Sequence, residues 1–206
     1  MKRVLLLLLV LVLAALAVAK FFVFELPTVT GDDMAPALQA EDLLLACRLD
    51  RTPARGDLVL FAHPGEGHLL VRRVVAVPGD RVAVRNEVPI LNGEAAPRTA
   101  QGEAILLQHE GGLTQEVRMK RVEEELSGVH YTVLKDPRRR SKDLKEQKLV
   151  GAYFLLADNR NHGADSRSFG PVPQDKIRAV VTHRVMAGPG SIKDQATRQG
   201  WFPLSP

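Results

Sequence analysis

Two adjacent carboxylates, Asp32 and Asp33, open the segment Gly31-Asp32-Asp33-Met34-Ala35-Pro36-Ala37-Leu38. Two carboxylates can activate a water when they share one proton across it. Neighbours in an extended chain point to opposite faces, so this pair is poorly placed for that chemistry. Ser166, in Asp165-Ser166-Arg167 and close behind His162, invites comparison with a serine–histidine–acid triad. Cys47 is the only cysteine, so no intrachain disulfide can form, and its apolar run Leu43–Cys47 suits a small buried hydrophobe. His63, His68, His109, His130, His162 and His183 are scattered. No spacing makes them ligands, and neither a structural zinc site nor a cofactor is expected.

The elements that must position these groups are short apolar or alternating runs broken by turn residues. Leu43–Cys47, Leu58–Phe61, Leu69–Val77 and Arg81–Val84 read as strands. Between them stand Pro53, Gly56-Asp57, Pro64-Gly65 and Pro78-Gly79-Asp80. Proline presets φ and glycine accepts positive φ, so Pro78-Gly79 is a strong turn pair. Asn92-Gly93 predicts a tight hairpin after the Val88–Leu91 run. Residues 98–150 are less legible. Ala104–Leu107, Gln115–Val122 and Tyr131–Leu134 fit strands, whereas the charged stretch 135–149 reads as a loop or short exposed helix. Within it, Arg138-Arg139-Arg140 reads as a solvated loop. Apolar pattern returns at Val150–Leu156 and Ile177–Met186. There is no internal repeat. Many short strands spaced by turns predict a mostly-β body of sandwich or barrel type. The polar tail after Gly188 reads as mobile.

The chain has 206 residues and a formal net charge of +4. Lys2, Arg3 and Lys20 carry three of those units, leaving +1 for residues 21–206. So even a balance argues against nucleic acid as the main partner. Residues 4–19 contain no polar side-chain atom, and Phe21-Phe22-Val23-Phe24 continues the run after Lys20. Spanning a bilayer takes roughly 20 helical residues, which residues 4–24 supply if Lys20 extends its amine to the outer interface. Lys2 and Arg3 then hold the N-terminus in the cytoplasm, with the body outside. A cleavable secretory signal is the rival reading, because Ala17-Val18-Ala19 has small residues at cleavage spacing. Cleavage there would leave Phe21–Phe24 exposed at a new terminus, which favours a retained anchor.

Four segments, in order, resemble the sequence boxes of the bacterial type I signal peptidases. Gly31–Leu38 resembles the family's G-x-S-M-x-P-T-L. Arg55-Gly56-Asp57-Leu58-Val59-Leu60-Phe61 resembles the second box. Val71-Arg72-Arg73-Val74-Val75-Ala76-Val77-Pro78-Gly79-Asp80 resembles the lysine-bearing strand followed by P-G-D. Ala157-Asp158-Asn159-Arg160-Asn161-His162-Gly163-Ala164-Asp165-Ser166-Arg167-Ser168-Phe169-Gly170-Pro171-Val172-Pro173 resembles the fourth. The resemblance is weakest over 98–150, an insertion-like part of the body 27–188, and absent beyond about residue 188.

The resemblance implies a β-rich, single-span protein of the bacterial cytoplasmic membrane. It also implies a serine nucleophile with a lysine base, which removes signal peptides from exported preproteins. Asp33, directly before Met34, stands at the serine position. Arg72, directly before Arg73-Val74, stands at the lysine position. Gly163 stands where a hydroxyl orients that lysine. Ala37 replaces the usual threonine and Ala157 the glycine of G-D-N-R. A guanidinium keeps its proton in proteins, so Arg72 cannot serve as the base. The residues predict a buried, forked Asp33–Arg72 ion pair filling the lost dyad. Met34, Pro36, Arg73, Asp158, Asn159, Arg160, Asp165, Ser166 and Arg167 are expected to be cleft or scaffold. The expected protein is an inactive relative that binds signal peptides, an active peptidase or the translocation machinery. The alternatives are a peptidase working through an unorthodox site and a purely structural membrane-anchored β domain.

Overall fold

The structure, a computed structural model, describes residues 2–49, 52–110, 113–193 and 202–204, excepting the side chains at 17, 19–21, 109 and 110. The chain begins with helix α1 (Lys2–Val23). Strands follow as β1 (Phe24–Glu25), β2 (Leu43–Cys47), β3 (Leu58–Ala62), β4 (Leu69–Ala76), β5 (Arg81–Arg85), β6 (Val88–Leu91), β7 (Glu94–Ala95) and β8 (Arg98–Glu110). Next come β9 (Leu113–Leu126), β10 (Val129–Lys135), β11 (Leu144–Lys148) and β12 (Ala152–Leu156). After the one-turn helix α2 (Ser166–Phe169), the chain closes with β13 (Val172–Pro173), β14 (Ile177–Met186), β15 (Ile192–Lys193) and β16 (Phe202–Pro203). The body is mostly β, as the alternating runs require.

The described strands form three sheets. The first has the order β1-β2-β14-β3-β4-β12-β13, with β16 also on β14; the second is β10-β9-β8-β15 and the third β11-β5-β6-β7. Asn92 and Gly93 both take positive φ, 51° and 92°, in the expected hairpin between β6 and β7. Two stretches differ from expectation. Leu144–Lys148, inside the charged run, is the edge strand β11 against β5, because an edge strand needs only one apolar anchor and leaves its charges in water. In the tail, Ile192-Lys193 pairs with β8 and Phe202-Pro203 pairs with β14, while residues 194–201, 205 and 206 lie outside the described residues. Ser191 is held there because Gln39 Oε1 accepts its backbone N–H at 2.6 Å.

Residues 4–13 of α1 are more than half exposed. Among the described residues no helix is long and apolar enough to cross a membrane. Lys20, Ala17 and Ala19, on which the interface and cleavage readings rest, have side chains outside the described set.

The core that holds the candidate site lies behind the turn at 33–38. Met34, Leu38, Leu44, Ala46, Leu58, Leu60, Ala157, Ala179 and Val181 pack there. Full burial of side chains such as Met34 and Leu38 stabilises by about 1.5–3 kcal/mol each, enough to pin a segment with no regular structure. Ala35 turns instead into a second cluster with Leu106, Met119 and Leu134.

Candidate functional site

Asp33 begins the pinned turn, and its carbonyl accepts the Asn159 N–H at 2.9 Å. The Asn159 side chain donates to the Asp32 carbonyl at 3.2 Å. Asp32 and Asp33 diverge, as expected, but the reason is a turn and not an extended strand. The Asp32 carboxylate leaves the cleft to accept the Ala40 N–H at 3.2 Å and the Ser191 hydroxyl. No shared-proton carboxylate pair forms.

Successive residues of β4 face opposite sides, so Arg72 points at Asp33 and Arg73 away from it. Arg72 Nη2 lies 2.5 Å from Asp33 Oδ2. The rest of the guanidinium is used elsewhere: Nε donates to the Ala164 carbonyl and Nη1 to the Val71 carbonyl, each at 2.7 Å. The contact is therefore single-pronged, not forked. Nor is the pair wholly buried, since the Arg72 side chain is 3% exposed and that of Asp33 40%. The fork fails because two backbone carbonyls claim the other donors.

Gly163 completes the group. A Cβ built on it would collide with the Ala157 methyl and come within 3.3 Å of Asp33 Cβ. The structure thus brings Asp33, Arg72 and Gly163 together. It also shows that the methyl of Ala157 occupies the space a side chain at 163 would need.

The fourth segment braces this site through buried charges. Arg73 grips Asp158 through Nε and Nη2, at 2.8 and 2.6 Å, and lies 4.3 Å over the Tyr131 ring. Arg167 grips Asp165 in the same two-pronged way, at 2.8 and 2.6 Å. The Ser166 hydroxyl accepts the Leu155 N–H at 3.0 Å in a fully buried position, far from a nucleophile's role. Pro36 follows Ala35 in the turn through a cis peptide bond.

Arg160 reaches a partner that sequence reasoning missed. Its guanidinium meets both oxygens of Glu124, at 2.5 and 3.0 Å, and both side chains are essentially inaccessible. Arg98 and the Tyr131 hydroxyl close on the same carboxylate. Burial alone would raise the Glu124 pKa, but Arg160 and Arg98 outweigh it and hold it below the usual range. Burial, with Glu124 alongside, pushes the Tyr131 phenol up. A signal was present: Glu124 shares strand parity with Val122 and Leu126, whereas Glu123 and Glu125 lie on the other face.

The His162 ring is engaged by Asp136 and Gln108 and not by Ser166. Its Nε2 lies 3.2 Å from Asp136 Oδ2, and its Nδ1 lies 3.0 Å from Gln108 Nε2. Burial would raise Asp136, but hydrogen bonds from Arg138 and His162 bring it down to about 2. Burial lowers His162 against the pull of Asp136. Both groups favour the fold when deprotonated. Stability should therefore fall below pH about 6.5, where the unfolded chain's histidine takes a proton, and again from about 4 to about 2 as Asp136 is neutralised. Urea midpoints measured across this range should show both declines, and Asp136→Asn should flatten the lower one.

A cleft of about 110 Å³ runs beside Asp33 and Arg72. Its walls are the segment 27–31 and the start of β4, with Met34 and Leu60 as floor. Among the described residues no cluster of His, Cys, Asp and Glu could hold a metal ion.

The model of the family described as "Signal peptidase, peptidase S26" matches residues 1–186. Signal peptidase I of Bacillus caldolyticus is 30% identical over 172 residues, covering 82% of each chain. Signal peptidase IB of Staphylococcus aureus is 29% identical over 173 residues, covering 81% of this chain and 80% of its own. A crystal structure of a signal peptidase I from Enterococcus faecalis V583 aligns with TM-score 0.36 and 23% identity, over 63% of this chain and 97% of that one.

Proposed function

Because this chain belongs to the signal peptidase family, peptidase S26, we propose that it is a member that keeps the peptide cleft and has lost the hydrolytic step. The family's reaction removes signal peptides from exported preproteins. That reaction needs a nucleophile and a group able to take its proton. The observation carrying the proposal is the Asp33–Arg72 contact itself. A carboxylate bound to a guanidinium is a poor nucleophile toward an amide. The guanidinium keeps its proton and cannot relay one. Gly163 offers no hydroxyl to orient any base.

What persists favours binding. The cleft remains open beside the site, with apolar walls at Val29, Leu60, Leu69 and Val71 that suit small side chains of an extended peptide. The ligand in this reading is a signal peptide; an active peptidase or translocation partner would use the same face. The apolar run 4–19 with Phe21-Phe22-Val23, inside the 22-residue helix α1, and Phe24 directly after it support a single-pass anchor in the bacterial cytoplasmic membrane. Lys2 and Arg3 favour a cytoplasmic N-terminus, which places the body on the outer side.

The decisive assay incubates the detergent-solubilised full chain with a preprotein, beside Asp33→Ala and Arg72→Ala. No cleaved product above background is expected from any of the three, whereas a photo-crosslinking signal peptide should label the cleft. Turnover by the parent that both substitutions abolish would establish an unorthodox active site instead.

A further inference from the structure

On the far side of the 33–38 turn lies a second and larger cavity, of about 740 Å³. Pro36, Arg73, Arg121, Tyr131, Arg184 and Phe202 are among its walls. Among the described residues no carboxylate lines it. The Arg73 charge is taken by Asp158, and Arg184 stacks 5.5 Å from the Phe202 ring. Glu123, beside the cavity, is held by Gln101 and His130.

Arg121 stands apart. Its Nε is buried and has no hydrogen-bond partner among the described residues. Burying such a donor unmet is costly, more so when it is charged, and Arg121 lines a cavity in which no described carboxylate balances it. A guanidinium matches the planar fork of a carboxylate. The wall also offers backbone. β10 is the edge strand of its sheet, and among the described residues its outer edge is bonded only near Leu134, to Asp158 and Arg160. The Val129–Thr132 half of that strand lines the cavity.

We propose that this cavity receives the free C-terminal carboxylate of an extended peptide, with Arg121 as its partner and the β10 edge as its backbone guide. The apolar surfaces of Pro36, Tyr131 and Phe202 accept the last side chains. An acyl amphiphile would satisfy Arg121 but leave the strand edge unused. The site is separate from the cleft beside Asp33, so it stands whether or not that cleft binds signal peptides.

The test titrates the detergent-solubilised full chain with an N-acetylated, alanine-rich hexapeptide, as its free acid and as its C-terminal amide. The acid should bind at least about tenfold more tightly, the scale of one charge-assisted hydrogen bond. Arg121→Gln should abolish that preference while keeping the thermal midpoint. Should Arg121→Gln not fold, Arg121→Lys is read in its place and should show a reduced preference. Equal binding of acid and amide overturns the proposal, as does a preference that survives unchanged in the folded variant. Arg121-dependent binding of dodecyl phosphate without binding of the peptide acid also overturns it, and would assign the cavity to a lipid-derived anion.

Discussion

Glu124→Ala should destabilise the fold by about 3–5 kcal/mol, because it leaves Arg160 charged and without its carboxylate in a fully buried site. Arg98 and the Tyr131 hydroxyl lose the same acceptor. Arg98→Ala should cost clearly less: its side chain is 17% exposed, and Glu124 would keep Arg160. Urea denaturation of both variants gives the comparison. If Glu124→Ala loses less than about 1 kcal/mol, the cluster does not carry the weight that burial assigns to it. The site itself should feel the loss. Arg160 Nε donates to the Ala157 carbonyl, and its Nη1 to that of Glu87, so the guanidinium ties the long hairpin to the segment beside Asp33.

The second large effect lies at the site. Gly163→Ser should destabilise by about 1–3 kcal/mol, the usual cost of overfilling a packed position. The cause is steric and local: Gly163 does not take positive φ, and its new Cβ would meet the Ala157 methyl. Ala157→Gly should relieve it, so the double variant should be more stable than additivity allows by about 0.5–3 kcal/mol. Additive behaviour in the denaturation midpoints would sink the idea of a shared volume. The same contact bears on the test of the proposed loss of hydrolysis. Asp33→Ser with Arg72→Lys and Gly163→Ser supplies the family's three polar groups, but the third has no room until Ala157 is reduced to glycine. Any preprotein cleavage should therefore emerge in the fourfold variant and not in the threefold one.

Local pattern carried much of the fold. Strand runs such as Leu43–Cys47, Val88–Leu91 and Ile177–Met186 coincide with β2, β6 and β14, because period-two alternation and turn residues act within a few positions. β11 escaped notice because an edge strand can be nearly all charged. Ser191–Lys193 escaped because the groups that hold it, Gln39, Asp32 and β8, lie far away in the chain.

By itself, the sequence determined the family and the charged residues of the fourth segment, and it set the expectation that Asp33 and Arg72 stand at the nucleophile and base positions. These depend on residue types at fixed local spacing, and an arginine is no base in any fold. Only the tertiary structure decided how those residues meet. Arg72 gives one prong to Asp33 because the Ala164 and Val71 carbonyls claim the others. Arg160 finds Glu124 across 36 positions. Ala157 and Gly163 share one methyl's worth of space because the chain folds back between them. Packing volume and buried charge pairing are properties of distant segments brought together, and no local spacing encodes them.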